Sequence, residues 1–310
     1  MINSDYFLTC FDLPLLSLMH DFKGEEKIQA MRQHTEIPIF SVCLYLGLVF
    51  YVPPLLEKRE GLSFKPILML WNLILAVFSM AGTLYTVPHL ARALDQKGFT
   101  FTVCREPKDW FLDGSVGFWV WLFILSKIPE LLDTAFLVLR KRRVIFLHWF
   151  HHVTVMLYCW HAYHHGIAPG LWFASMNFVV HSFMYTYYFI MATKYHHWAV
   201  PLAPILTSLQ ILQMAIGTYV MVHSAREFYR TQGEGCFVDP ANFKMGLVMY
   251  TSYMVLFCLL FYDKYVRNAR VYIKGDSCTG ETETLCGVDL NSANIDTVGR
   301  FNMVYIKKNK

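Results

Sequence analysis

Seven stretches of this chain, roughly 37–56, 66–87, 116–139, 145–163, 168–192, 199–222 and 243–263, are each long and apolar enough to cross a bilayer. Such a crossing takes about 20 mostly apolar residues. A segment surrounded by hydrocarbon must pair its backbone groups internally, so each stretch predicts a helix, and the expected fold is an all-α membrane protein with seven transmembrane helices. Pro53, Pro54, Pro129 and Pro204 lie in or near these stretches, where membrane helices tolerate proline. The charged fraction, 16%, is well below the soluble norm of about 25%, which favours one bilayer-embedded domain over two soluble ones. That domain is expected over residues 37–274. Residues 1–36 form an N-terminal segment that includes a short polar, interfacial stretch, and a Gly/Ser/Thr/Asn-rich tail over 275–310 reads as disordered. The N-terminus lacks the basic start, apolar core and small-residue site of a secretory leader, so the first span is expected to act as its own insertion signal.

Lysine and arginine orient the spans. One side of the predicted topology holds ten of them. The other holds sixteen: Lys58, Arg59, Lys65, Arg140 to Arg143, Lys194 and the eight of the C-terminal segment. The richer side is read as cytoplasmic, with the C-terminus there and the N-terminus lumenal. The final residues, Lys307-Lys308-Asn309-Lys310, then place a dilysine retrieval signal for the endoplasmic reticulum, Lys307 and Lys308, in the cytosol.

An ionisable group inside a span costs about 2.5–3.5 kcal/mol on insertion scales. Four clusters incur such costs. Lys127, Glu130 and Asp133, followed by Thr134, recur every three residues on one side of the third span. His148, His151 and His152 share an arc of about 100° at the start of the fourth. Asn177, His181, Met184, Tyr185 and Tyr188 follow one another on the fifth, and Thr207, Gln210 and Gln213 on the sixth. At about 1.5 Å per residue, His151 and Asp133 lie roughly 9–10 Å and His181 and Gln210 roughly 16 Å from their cytoplasmic helix ends. Antiparallel spans thus gather their polar groups into one layer. Such a layer reads as a buried reaction chamber with apolar depth beyond it for a long chain.

The chemistry has two readings at this level. Histidine clusters of this spacing serve di-iron desaturases and hydroxylases, and His161-Ala162-Tyr163-His164-His165 offers a second cluster. However, ten residues of helix, about 15 Å, separate His151 from His161, so both cannot surround one ion. His161, His164 and His165 are therefore read as lumenal interfacial residues, and no metal is expected. The alternative uses neutral imidazole as nucleophile and proton carrier, with tyrosine, asparagine and glutamine donors around a developing oxyanion. A non-enzymatic seven-span receptor or transporter would instead use the buried charges as a conduction or ligand site.

Taken together the four clusters resemble the fatty acid elongase (ELO) family, whose patterns are Lys-x-x-Glu-x-x-Asp-Thr, His-x-x-His-His, His-x-x-Met-Tyr-x-Tyr-Tyr and Thr-x-x-Gln-x-x-Gln. All four appear here in order, within roughly residues 30–275. The resemblance implies the condensing step of fatty acid elongation in the endoplasmic reticulum: long-chain acyl-CoA and malonyl-CoA give 3-ketoacyl-CoA, CoA and carbon dioxide. It implies an inverted repeat of three helices forming a six-helix barrel with the first span outside. It also implies His151 as acyl acceptor, His181 as its assistant and Asn177 as the residue orienting His181. His148, His152, Lys127, Glu130, Asp133, Tyr185, Tyr188 and Gln210 complete the expected catalytic set. No metal or redox cofactor is implied. Arg143 stands five residues before His148, where polyunsaturated-chain elongases carry glutamine, and the run Phe146 to His152 resembles the saturated and monounsaturated branch.

CoA phosphates call for basic residues at the cytoplasmic mouth. Arg140, Lys141, Arg142, Arg143, Lys194 and Lys264 are the candidates, although Ala203-Pro204 stands where relatives often carry a basic pair. Membrane lipid surrounds the protein, other enzymes of the elongation cycle are expected partners, a homodimer is left open, and nucleic acid has no place. Of eight cysteines, Cys104 and Cys236 fall in loops on the oxidising, lumenal side and are expected to pair.

Overall fold

The computed structural model describes residues 14–267. Among them every regular element is helical. Two short helices, α1 (Pro14–His20) and α2 (Gly24–Gln33), precede α3 (Glu36–Phe50). The long α4 (Lys65–Lys97) follows, then α5 (Gly114–Ser126) and α6 (Leu132–Leu139). The chain continues through α7 (Phe146–His165), α8 (Gly170–Met191), α9 (Ala203–Arg230) and α10 (Pro240–Phe261). Three helical segments, Lys65–Lys97, His196–Arg230 and Pro240–Arg267, are by themselves long and apolar enough to cross a membrane. The pair α2–α3, bent by 62°, passes the same test when taken together. The predicted tail and its Lys307-Lys308 signal lie outside the described residues.

Each apolar run lies on helix, with three differences of extent. α4 runs ten residues past the predicted end, through Pro88 to Gly98, whose φ of +81° ends it in a conformation that glycine adopts without a side-chain clash. α9 likewise runs on to Arg230. The third run is broken in the middle. Pro129 has no N–H to offer the Leu125 carbonyl one turn back, and Ile128 N serves that carbonyl instead at 3.2 Å. A 3₁₀ turn, Pro129–Leu131, then joins α5 to α6.

Helix α4 packs along α8 and against α5; α5 touches α7; α7 lies against α10, α10 against α9, and α9 against α8. α3 stands beside α6 and α7. Glycine sets the closest approaches: a Cβ on Gly82 of α4 would sit 2.5 Å from the Phe178 ring of α8, and one on Gly217 of α9 would overlap the Tyr250 ring of α10. Large apolar side chains such as Phe40 and Leu44 on α3, Leu70 and Leu84 on α4, and Val248 and Val255 on α10 face outward, an exterior suited to lipid rather than water.

The interior is uneven. Towards the end carrying Cys104 and Cys236 two dense apolar clusters fill it. One joins Met19, Ile28 and Met31 of the N-terminal helices, with Phe22 of the link between them, to Phe118 of α5, Trp160 of α7 and Phe178 of α8. The other joins Tyr158 of α7 to Met221 of α9 and Tyr250 of α10. Towards the opposite end, among the described residues, only Leu75, Ala76 and Tyr185 form a buried cluster. The polar groups occupy the rest.

Candidate functional site

The break at Pro129 places a lysine and a carboxylate within one uncapped turn. Lys127 Nζ donates to Glu130 Oε1 at 2.8 Å and Oε2 at 3.0 Å, and Ser126 Oγ donates to Glu130 Oε1 at 2.7 Å. Both side chains are almost wholly buried, at 2% and 5% exposure. The same ammonium reaches across to α8, donating to Asn177 Oδ1 at 3.1 Å, and sits 4.1 Å from the centre of the Phe123 ring. Asn177, expected beside His181, is therefore held by Lys127.

Asp133, one turn on, does not join that pair. Trp71 Nε1 of α4 donates to its Oδ1 at 2.6 Å, and Tyr185 OH of α8 donates to its Oδ2 at 2.9 Å. The second carboxylate is thus matched by two neutral donors from different helices, the kind of satisfaction a buried polar group requires. Thr134 Oγ1 lies 2.9 Å from Tyr45 OH of α3 and 2.8 Å from His148 Nε2. The outlying helix α3 therefore reaches the site through Tyr45.

On α7 the three histidines crowd together: the rings of His148 and His152 are 4.6 Å apart between centres, and those of His151 and His152 are 5.5 Å apart. Tyr253 of α10 donates to the His151 carbonyl at 3.2 Å, contacts Thr154 Oγ1, and holds its ring 5.0 Å from that of His151. His151 lies within electrostatic reach of His181 and Lys127. Among the described residues, neither the His151 nor the His181 ring takes a hydrogen bond. Their nitrogens are thus available to a substrate, whereas His148 is engaged by Thr134. His181 is buried, its ring edge-on to Tyr185 at 5.3 Å.

Other expected residues have different partners. Gln210 donates to the Met184 sulfur at 3.7 Å rather than to a histidine. Tyr188 is 45% exposed and meets Tyr187 edge-on. The basic run ends α6 in a C-terminal turn: Lys141 N donates to Val138 O and Arg142 N to Leu137 O, with Lys141 at φ +55°. Lys141 Nζ then donates to Glu57 O at 2.9 Å. Arg143 is exposed, Lys194 lies over the Tyr195 ring, and Lys264 falls in the turn after α10.

Trp71, Tyr45, Tyr253 and Thr154 escaped the sequence reading. Each is an unremarkable aromatic or hydroxyl residue in an apolar run, and only its partner across the bundle reveals it.

At the far end of α7, Cys104 and Cys236 form a disulfide across 132 residues of sequence. Phe237 N donates to Cys104 O at 2.8 Å and Ala168 N to Phe237 O at 2.9 Å, which laces three loops together. His161, His165 and Asp239 lie beside it, the one set of three convergent metal-type donors among the described residues. Between this end and Phe123 a narrow apolar cavity of about 40 Å³ is bordered by Phe111, Val120, Cys159, Tyr163 and Phe173.

A buried layer with a paired lysine, a satisfied aspartate and three unengaged imidazoles, those of His151, His152 and His181, suits acyl transfer on an amphipathic substrate. The comparisons with known proteins agree. The model of the ELO: GNS1/SUR4 family matches residues 30–272. "Fatty acid elongase 3" of Trypanosoma cruzi is 43% identical over 274 residues, covering 80% of this chain and 90% of that protein. "Very long chain fatty acid elongase 4" of the same organism is 42% identical over 255 residues, covering 82% and 88%. "Very long chain fatty acid elongase 6" of Drosophila melanogaster is 38% identical over 271 residues, covering 86% and 84%. The chain belongs to the ELO (GNS1/SUR4) family, and it is a multi-pass membrane acyltransferase, a condensing enzyme of fatty acid elongation.

Proposed function

We propose that condensation proceeds through an acyl group carried by His151. A ring nitrogen of His151 attacks the thioester carbon of a long-chain acyl-CoA; the C–N bond forms, the C–S bond breaks, and the departing thiolate takes up the proton released by the acylated ring. Malonyl-CoA then loses carbon dioxide, and the electrons of that C–C bond become an enolate. The enolate carbon attacks the acyl carbon, the C–N bond breaks, and the ring regains a proton from solvent. The products are 3-ketoacyl-CoA, CoA and carbon dioxide. His181 faces this centre as proton carrier, Tyr253 fixes the turn bearing His151, and the Lys127–Glu130–Asn177 group holds the opposite wall at fixed charge. The observation that carries this reading is the unengaged ring of His151, held 5.0 Å from the Tyr253 ring in a layer where Lys127, Glu130, Asp133, Asn177 and His148 are all paired. Protein side chains suffice for every step, so no metal or redox cofactor is invoked.

The finer architecture follows the same proposal. Seven crossings, with α3 as the first, accommodate every apolar run. The neighbours α4, α5, α7, α10, α9 and α8 close on themselves, which supports a six-helix barrel with α3 outside. In that ring α4 lies beside α8 and α7 beside α10, first beside first and third beside third, as an inverted three-helix repeat requires. The mouth at Arg140 to Arg143, with Lys194 and Lys264, would face the cytosol and receive the CoA phosphates. The N-terminus would be lumenal and the membrane that of the endoplasmic reticulum. Saturated and monounsaturated acyl-CoA are the proposed substrates, and the other elongation-cycle enzymes the proposed partners.

Purified enzyme should release carbon dioxide from malonyl-CoA only when an acyl-CoA primer is present, with a maximum across primers of graded length. Incubated with acyl-CoA alone, it should hold an acyl group on the peptide containing His151. An acyl group recovered elsewhere, or an unchanged rate in His151→Ala, would overturn the assignment.

A further inference from the structure

We propose that His161, His165 and Asp239 form a binding site for a divalent transition-metal ion of the zinc class, which fastens the end of α7 to the start of α10. One nitrogen of each ring and one carboxylate oxygen all lie within 4.8 Å of one another. His161 and His165 are four residues apart and so share a face of α7; their rings stack with centres 4.1 Å apart. Asp239 comes from a different element, three residues beyond the disulfide cysteine Cys236.

With one side-chain amide turned end for end, the hydrogen bonds around these three residues suit metal ligands. His165 Nδ1 lies 3.0 Å from the His161 carbonyl, which can only accept, so Nδ1 carries the hydrogen and Nε2 keeps its lone pair. His161 Nδ1 lies 2.9 Å from the Asn242 side-chain nitrogen, while Asn242 Oδ1 accepts from Tyr158 OH at 3.2 Å. Turning that amide end for end lets its oxygen accept from His161 Nδ1–H and its nitrogen donate to the Tyr158 oxygen. Both hydrogen bonds survive and His161 Nε2 is freed. Asp239 Oδ1 accepts from Asn242 N at 2.7 Å, which leaves its other oxygen open. Each donor thus has one atom anchored by a supporting partner and another available, the arrangement that fixes first ligands at metal sites. Two imidazoles and a carboxylate suit Zn²⁺, with water as the fourth ligand; bonds of about 2.0–2.1 Å require ligand atoms about 3.3 Å apart, so the rings would draw inward on binding. The site revises the expectation that the chain holds no metal, and it lies about 15 Å along α7 from His151, outside the reaction layer.

Full-length protein in detergent, stripped with chelator and titrated with zinc chloride, tests this. Wild type should retain one equivalent of zinc by elemental analysis and melt at a higher temperature when loaded. His161→Ala/His165→Ala should lose both properties. Asp239→Asn, which keeps the helix cap because asparagine caps as well as aspartate, should bind zinc about tenfold more weakly or worse. The proposal is overturned if wild type takes up no zinc, if Asp239→Asn binds as tightly as wild type, or if the equivalent disappears only in His148→Ala/His152→Ala.

Discussion

Helix α7 carries two histidine clusters of nearly the same spelling, and the structure gives them opposite surroundings. At its start, His148, His151 and His152 face a layer of buried charge built by α5, α6 and α8, with Tyr253 and Tyr45 reaching in from α10 and α3. At its end, His161 and His165 meet a helix cap, a backbone carbonyl and a disulfide-tied loop. The first cluster leaves the rings of His151 and His152 without a hydrogen-bond partner, whereas His161 and His165 in the second each have one. Imidazole spacing alone therefore says little about role; the charge and packing of the opposing helices decide it.

The largest expected effect separates the two clusters by activity. His151→Ala should lower the rate of malonyl-CoA-dependent condensation by about 10³-fold or more, the scale of losing a nucleophile or proton carrier. His165→Ala should leave turnover of the folded enzyme near wild type. Equal losses in the two variants would erase the distinction. Next in size is the buried pair. Lys127→Met leaves the Glu130 carboxylate without its cation, which should cost about 3–5 kcal/mol of stability. Lys127→Met/Glu130→Gln should recover most of that. Thermal unfolding in one detergent reads both, and a double variant no more stable than the single one would mean that the two residues are not coupled.

Much of this layer was legible in the sequence because charge in an apolar run is conspicuous. Lys127, Glu130, Asp133 and His181 announced themselves by the cost of burying them in apolar runs. The partners did not, since Trp71 looks like any lipid-facing aromatic until its N–H is found 2.6 Å from Asp133. The i,i+4 spacing of Asn177 and His181 also pointed to each other, yet the stronger charge of Lys127 claims the amide oxygen. Helix extent was misjudged where apolarity stopped before the hydrogen-bond ladder did, as in the polar last turns of α4 and α9. Within the N-terminal segment, Met19, Phe22, Ile28 and Met31 are buried in the core, a seat that four scattered apolar residues did not announce.

The far end of α7 should respond in stability rather than rate. Cys104→Ser/Cys236→Ser opens a crosslink spanning 132 residues, and loss of such a bond costs about 2–4 kcal/mol. The melting midpoint should fall while the rate of enzyme still folded stays close to wild type. A rate loss matching that of His151→Ala would tie this end to the chemistry and weaken the contrast.

The smallest effect tests whether Asp239 is more than a cap. As the residue before α10 it accepts from Asn242 N at 2.7 Å, and an N-cap is worth about 0.5–2 kcal/mol against alanine. In metal-free protein, Asp239→Ala should therefore melt lower by roughly that amount, while Asp239→Asn should match wild type. Adding zinc separates the roles, because only the aspartate supplies a charged oxygen to the two rings. If the asparagine variant equals wild type with zinc as well as without, Asp239 serves the helix alone. If it falls behind only when zinc is present, the second histidine cluster is a clamp, and the two ends of α7 differ in chemistry as well as in packing.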